Sequence, residues 1–378
     1  MCSPEPLAAF PAFLIQFLGF VSRASDNAFE GIPQKNPDCW DFGLDDSTGI
    51  MDLGRYGAQE SEISVFVTKL IIGNVAVVHE TRTTAARTWK KIGCFYTLTM
   101  LFSGVFGAFM IYAGKMSSGD LLFVTGAMWC PALATFATKK IFSESVRELA
   151  WRWGDARYIW LGYLIPILYA LPVYVIAWVT GLGAFNWDAV AKIAENFGWQ
   201  SFPRGVTLAL FIVITASVGL VPKLGRALGE EIGWRGFLVP ELAKVLPFPM
   251  VGIVSGLMWA GYHYPVLLFA DYNGNAPRWY ALICFTMMVT AGSIVMAWLV
   301  LRAGSLWPAA ILHASHNLFI QSIFTPLTRD TGPTKYVIDE FGVGLVITTA
   351  IGAGIVCVIV RVGRRPGDLV PAPRRNEL

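Results

Sequence analysis

The chain has 378 residues, of which 55% are hydrophobic and 15% charged, with a mean hydropathy of +0.54. Soluble domains carry about 25% charged residues, so this composition excludes an ordinary soluble domain and points to a membrane. A formal net charge of +3 gives no reason to expect a nucleic-acid partner.

Residues 1–91 read as an N-terminal polar or interfacial region without an assigned architecture. Within it, Leu7 to Val21 is apolar but short for a span. It lacks the basic start of a secretory signal, since Glu5 is the only charge before it. It reads as interfacial or core-packed, with a signal anchor as the alternative. Ile63 to Val78 is interrupted by Lys69 and Asn74 and reads as an amphipathic helix. The six cysteines, Cys2, Cys39, Cys94, Cys130, Cys284 and Cys357, are scattered without a CxxC pair, so neither a disulfide framework nor a zinc knuckle is expected.

Residues 92–361 read as a multi-span membrane domain. Candidate spans lie at 94–113, 121–138, 158–180, 205–223, 248–269, 279–301, 305–324 and 341–360. Each has about 20 residues, enough for a hydrocarbon core of about 30 Å. The expected fold is all-α and polytopic, with about eight transmembrane helices plus a short membrane-embedded motif helix at 227–244. Residues 362–378 read as a basic, disordered tail. Basic clusters precede the first span, follow the second, fourth and eighth, and share one side if the motif helix is re-entrant. Both termini are then cytoplasmic.

GEEIGWRGFL, residues 229–238, places Glu230, Glu231 and Arg235 inside this apolar frame. An ionised side chain in hydrocarbon costs about 2.5–3.5 kcal/mol even on the lenient insertion scale, so it needs a partner or water. On a helix, Glu231 and Arg235 stand at i and i+4 and pair. Glu230 is rotated about 100° away, leaving it less compensated and free to act as a base. A helix at the interface with its charges snorkelling into water is the plain alternative. Of the four histidines, His79 lies in the polar N-terminal part, whereas His263, His313 and His316 fall in spans. WAGYH puts Trp259 and His263 on one helical face, and HASHN does the same for His313 and Asn317. Straight helices would leave His263 and His313 about 10 Å apart in depth, a gap that Pro265 and tilt can close.

Three motifs in order, EExxxR, aromatic-xxx-His and HxxxN, resemble the CPBP or Abi family, which comprises type II CAAX prenyl endopeptidases and bacteriocin-processing or immunity membrane proteases. The likeness covers roughly residues 205–325, including GSLWPAAILHASHN at 304–317. The resemblance implies an intramembrane endopeptidase with Glu230 as the general base for a water, helped by His263. His313 and Asn317 would hold the oxyanion, and Glu231 with Arg235 would order the motif helix. It implies no cofactor and no metal, and a membrane-delivered peptide or prenylated protein as substrate. The protein would lie in the endoplasmic reticulum of a eukaryote or the plasma membrane of a bacterium. One departure is Trp259, where the family more usually has Phe; the larger ring is expected to reshape the substrate channel more than the chemistry. Glu230, His263, His313 and His316 are also metal-ligand types, which keeps a metal-dependent membrane hydrolase as one alternative. A proton-coupled transporter or a scaffold with a polar core is another.

Overall fold

A computed structural model describes the backbone of residues 57–113 and 121–362, and side chains over 84–112 and 122–362. The chain divides into two units, Met1–Leu70 and Ile71–Leu378, and every element of the site belongs to the second. The apolar run Leu7–Val21, His79, the faces of Ile63–Val78 and the tail 363–378 lie outside the described side chains.

The described helices are α1 (Gly57–Ala113), α2 (Leu121–Ile141), α3 (Ala156–Thr180), α4 (Trp187–Phe197), α5 (Arg204–Ser217), α6 (Leu220–Glu231), α7 (Val239–Ala243), α8 (Phe248–Phe269), α9 (Arg278–Ala303), α10 (Trp307–Leu318), α11 (Thr334–Val337) and α12 (Val343–Val362). Two π-helical turns, Ile232–Leu238 and Phe319–Phe324, continue α6 and α10. A two-residue antiparallel ladder, β1 (Ala184–Phe185) with β2 (Thr328–Arg329), is the sole sheet among the described residues. The chain is thus all-α and built for a bilayer. Six helical runs are long and apolar enough to cross one: Thr84–Tyr112, Ala156–Thr180, Arg204–Ala243, Phe248–Phe269, Arg278–Ala303 and Val343–Val362. The other two expected spans are helical as well, over α2 and over 307–324.

The surface is apolar where a soluble protein would be polar. On α12, Ile347, Ile351, Ile355 and Val358 point outward at helical spacing, each more than half exposed. Glu230, Glu231, Arg235 and His313 lie inside. This inverted arrangement suits a hydrocarbon solvent, which needs apolar contact outside and internal partners for every polar group.

Contacts at the two ends fix the direction of the helices. At one end, Lys91 Nζ meets Glu144 at 2.9 Å and Glu241 at 2.8 Å, and Lys139 Nζ meets Glu144 at 3.1 Å and Glu148 at 2.8 Å. There the Leu306 N–H also donates to the Ala150 carbonyl at 3.0 Å. Beside these lysines, the Glu144 carboxyl is held below its usual range: burial alone would raise it, and the two ammonium donors outweigh that. At the other end, Thr331 Oγ1 donates to the Gly181 carbonyl at 3.0 Å and Tyr280 to the Tyr336 carbonyl at 2.7 Å. Successive helices therefore alternate in direction, and Lys91 and Lys139 share one end.

One expectation is corrected. The motif helix is not a separate re-entrant element after a span at 205–223. Arg204–Ala243 is one apolar helical run of 40 residues, interrupted only between Ser217 and Leu220. Pro222 explains the interruption, because it offers no N–H to the Val218 carbonyl one turn back. The physical reason for continuity is that the motif charges are answered by neighbouring helices, so the chain need not turn back to water.

Glycines set how closely the motif helix approaches α2. A Cβ at Gly229 would stand 2.7 Å from the Met128 carbonyl oxygen, and one at Gly233 would stand 2.6 Å from Pro131 Cβ. Gly229 and Gly233 form a small-xxx-small seam, the pattern that lets membrane helices pack backbone to backbone. Replacing Gly229 by Leu should therefore destabilise by about 1–3 kcal/mol through overpacking. Gly354→Ala, where a Cβ meets nothing within 4 Å, should leave stability unchanged. Thermal unfolding in detergent compares the two.

Candidate active site

The site is built where α6 with its π-turn, α8, α9 and α10 meet. Glu231 is fully buried, and its Oε1 accepts from Arg235 Nη1 at 3.0 Å and from His313 Nδ1 at 2.9 Å. The helical spacing expected from sequence brings the first pair together, and α10 supplies the second partner. Arg235, also fully buried, spends its other amino group on Ser293 Oγ of α9 at 2.9 Å. Its guanidinium lies over the Trp259 ring, 4.0 Å from the centroid, a cation–π contact strengthened by the absence of water.

Glu230 faces another way, as the 100° rotation requires. Its Oε2 accepts from the Trp259 indole N–H at 2.6 Å, and among the described residues it makes no ion pair. The Trp259 indole thus donates to the Glu230 carboxylate directly, a contact that a phenylalanine could not make. Trp259 also answers the depth problem. Its ring lies 5.2 Å from the His313 ring and 6.0 Å from the His263 ring, so the two imidazoles flank one indole.

Hydrogen bonding fixes the tautomer of His263. Its Nδ1 stands 3.0 Å from the Trp259 carbonyl, which only accepts, so Nδ1 carries the proton and Nε2 keeps a lone pair. Against the Glu231 carboxylate, His313 Nδ1 is likewise the donor, which leaves Nε2 for another partner. Asn317 is half-buried and forms no side-chain hydrogen bond to a described residue. Between Pro308 and Ile320 it is the one position that is not closed off. Among the described residues, no three His, Cys, Asp or Glu side chains gather as a metal-ligand set.

A second polar cluster was not legible in the sequence. Glu340, in the turn before α12, accepts from His316 Nε2 at 3.0 Å, from Gln321 Nε2 at 2.7 Å and from the Tyr272 hydroxyl. The other nitrogen of His316 meets the Tyr169 hydroxyl. Tyr272 in turn stacks on His263, with 6.2 Å between ring centroids. Tyr272, in the loop between α8 and α9, thus connects the Glu340 cluster to the second motif. Only a solvated acid would have been guessed at Glu340, since no motif or helical spacing links it to its three donors.

Burial alone would raise the Glu340 carboxyl, but donation from His316, Tyr272 and Gln321 holds it well below the usual range. Its neighbour Asp339 moves the other way, pushed up to about 7 by burial and by the adjacent Glu340 charge. An acid whose folded-state value is raised stabilises the fold at low pH, and that contribution is lost as pH rises through about 7. Thermal stability should therefore fall as pH rises from about 4 to about 7, and Asp339→Asn should flatten the profile over that window. Arg235→Met, which strands the Glu231 carboxylate with only His313, should cost about 3 kcal/mol of stability, read from the same unfolding measurement.

Residues 205–319, the segment that supplies Glu230, Glu231, Arg235, Trp259, His263, His313 and Asn317, match the family model described as Rce1-like, type II CAAX prenyl endopeptidase. The chain is also similar to CAAX prenyl protease 2 of Methanococcus maripaludis, with 26% identity over 193 residues. That match covers 50% of this chain and 64% of the relative, so the chain spans a little under two thirds of that protein's length. The likeness read from the three motifs stands: over residues 205–319 the protein is similar to the Rce1-like type II CAAX prenyl endopeptidases.

Proposed function

We propose that the protein is an intramembrane endopeptidase that hydrolyses a peptide bond with a glutamate-activated water. The observation that carries this reading is the unequal treatment of two adjacent buried carboxylates. Glu231 is committed to Arg235 and His313, whereas Glu230 has one indole donor and no cation. A carboxylate with lone pairs to spare is the one able to take a proton from water.

In this reading Glu230 removes a proton as the water oxygen bonds to the scissile carbonyl carbon. The Nε2 lone pair of His263 accepts from the same water and orients it. Negative charge then develops on the carbonyl oxygen. The Asn317 amide donates to it, as does Nε2–H of a doubly protonated His313 whose Nδ1–H is held by Glu231. Donors already in place inside a dry site stabilise such a charge far more than they would in water. Proton return from Glu230 to the departing amine breaks the C–N bond and restores the carboxylate. Trp259 keeps Glu230 aimed, and Arg235 keeps Glu231 ionised and in place.

The family likeness and the membrane fold support a substrate delivered through the bilayer, a C-terminal peptide carrying a prenylated cysteine of the C-a-a-X kind. Glu230→Gln and His313→Ala should each lower cleavage of a prenylated reporter peptide by at least about 100-fold while the protein still inserts and unfolds cooperatively. Wild-type rates in both variants would overturn the assignment.

A further inference from the structure

The flat ring of His263 is held between walls of unequal rigidity. Its Nδ1–H bond to the Trp259 carbonyl ties one edge to its own helix. That bond leaves the tilt of the plane open, since rotation of an imidazole about its last torsion is broad. Aromatic neighbours close the remaining sides. Tyr262 stands edge-on, with 4.8 Å between ring centroids, and Phe285 lies tilted at 5.0 Å. Both belong to helices, α8 and α9, and both are buried. Tyr262 is further pinned by its hydroxyl, which donates to the Ala127 carbonyl of α2 at 2.7 Å.

Tyr272 is the exception. Its ring makes the most nearly parallel contact with His263, with 29° between planes, yet it belongs to the loop between α8 and α9. Loops move more than the helices they join, so a wall built on one is only as steady as its attachments. Those attachments lead to the turn before α12. The Tyr272 hydroxyl donates to Glu340 Oε2. Oε1 of the same carboxylate accepts from His316 of α10 and from Gln321 of the π-helical turn that follows it. Phe341 packs edge-on against the Tyr272 ring at 5.0 Å. It fits because residue 274 is glycine: a Cβ there would stand 2.7 Å from Phe341 Cδ2. Glu340 is thus a fixed post, and a hydrogen bond to a charged acceptor is a strong tie.

We infer that Tyr272 is a positioning residue for the proposed hydrolysis: tethered to Glu340, it sets the plane of the His263 imidazole and with it the direction of the Nε2 lone pair. The inference rests on the peptidase reading for its consequence and on the ring geometry for its route. Tyr272 need not touch the reacting atoms. It narrows the orientations in which His263 can meet the water, and a misplacement of about 1 Å costs about 100-fold in rate. His316, which the three-motif pattern leaves without a role, acquires one: it steadies the post to which a wall of the second motif is tied.

The test uses the full chain in nanodiscs of zwitterionic lipid. Tyr272→Phe keeps the ring and removes the tie. It should lower kcat for a prenylated reporter peptide by about 10-fold or more and leave KM within about twofold. Tyr280→Phe removes a different hydroxyl bond, to the Tyr336 carbonyl, which does not lead to His263, and should leave kcat unchanged. Glu340→Gln, a weaker partner for the Tyr272 hydroxyl, should lower kcat in the same direction. Combined with Tyr272→Phe it should cost no more than about twofold beyond the larger single loss, because both act through one tie. Isotopic labelling of the histidine nitrogens, read by NMR, needs no substrate. The chain has four histidines, and His263→Ala assigns the relevant signals. Tyr272→Phe should shift or broaden the His263 ring signals and leave those of His313 in place. An unchanged kcat, or unchanged His263 signals, in Tyr272→Phe would overturn the inference. So would an equal loss in Tyr280→Phe, or losses that multiply in the double variant. If the unmodified protein cuts no peptide while the His263 signals still respond to Tyr272→Phe, the tether stands and the peptidase reading falls.

Discussion

A carboxylate sealed in an apolar interior must find its partners within hydrogen-bonding reach, and Glu231 finds them on two different helices. Arg235 comes from its own helix one turn later, and His313 comes from α10. Everything else at the site follows from satisfying that charge. Arg235 needs Ser293 and the Trp259 ring to complete its own surroundings, which draws in α9 and α8. Trp259, so placed, points its indole N–H at Glu230. Glu231 thus assembles the frame in which Glu230 is held with fewer constraints.

Close backbone approach makes this geometry possible. The motif glycines 229 and 233 serve no chemistry; they let α2 lie against the back of the motif helix. Gly252 and Gly256 do the same for α8 against α9, where a Cβ would come within 2.7 Å of Ile294 Cα and 2.6 Å of Thr290 Cα. Helices that pack this tightly leave little freedom for side chains between them. The two π-helical turns stand beside the first and third motifs. Such turns are rare, and they often mark functional positions in helices.

Much of the site was readable because its main pairs are local. Glu231 with Arg235, and Trp259 with His263, are separated by one helical turn, and a charge in an apolar run is conspicuous. What was missed is non-local. Ser293, Tyr169, Tyr272, Gln321 and Glu340 each owe their role to a partner on another segment, and none carries a spacing signal of its own. The re-entrant helix had another source. Gathering the basic clusters on one side counted Lys223 and Arg226 as loop residues, whereas the helical run Arg204–Ala243 continues through them. Trp259 belongs with the non-local partners: its ring was visible in the motif, while the acceptor of its N–H came from another helix.

Glu340 lies twenty-one residues beyond the end of the matched segment 205–319, yet it is the common acceptor for three side chains, one of which leans on His263. A fragment trimmed to the recognisable core would contain every motif and still lack this clamp, leaving His316 and Tyr272 with a buried donor each and nothing to receive it. The unit that can fold and work is therefore larger than the unit that can be recognised.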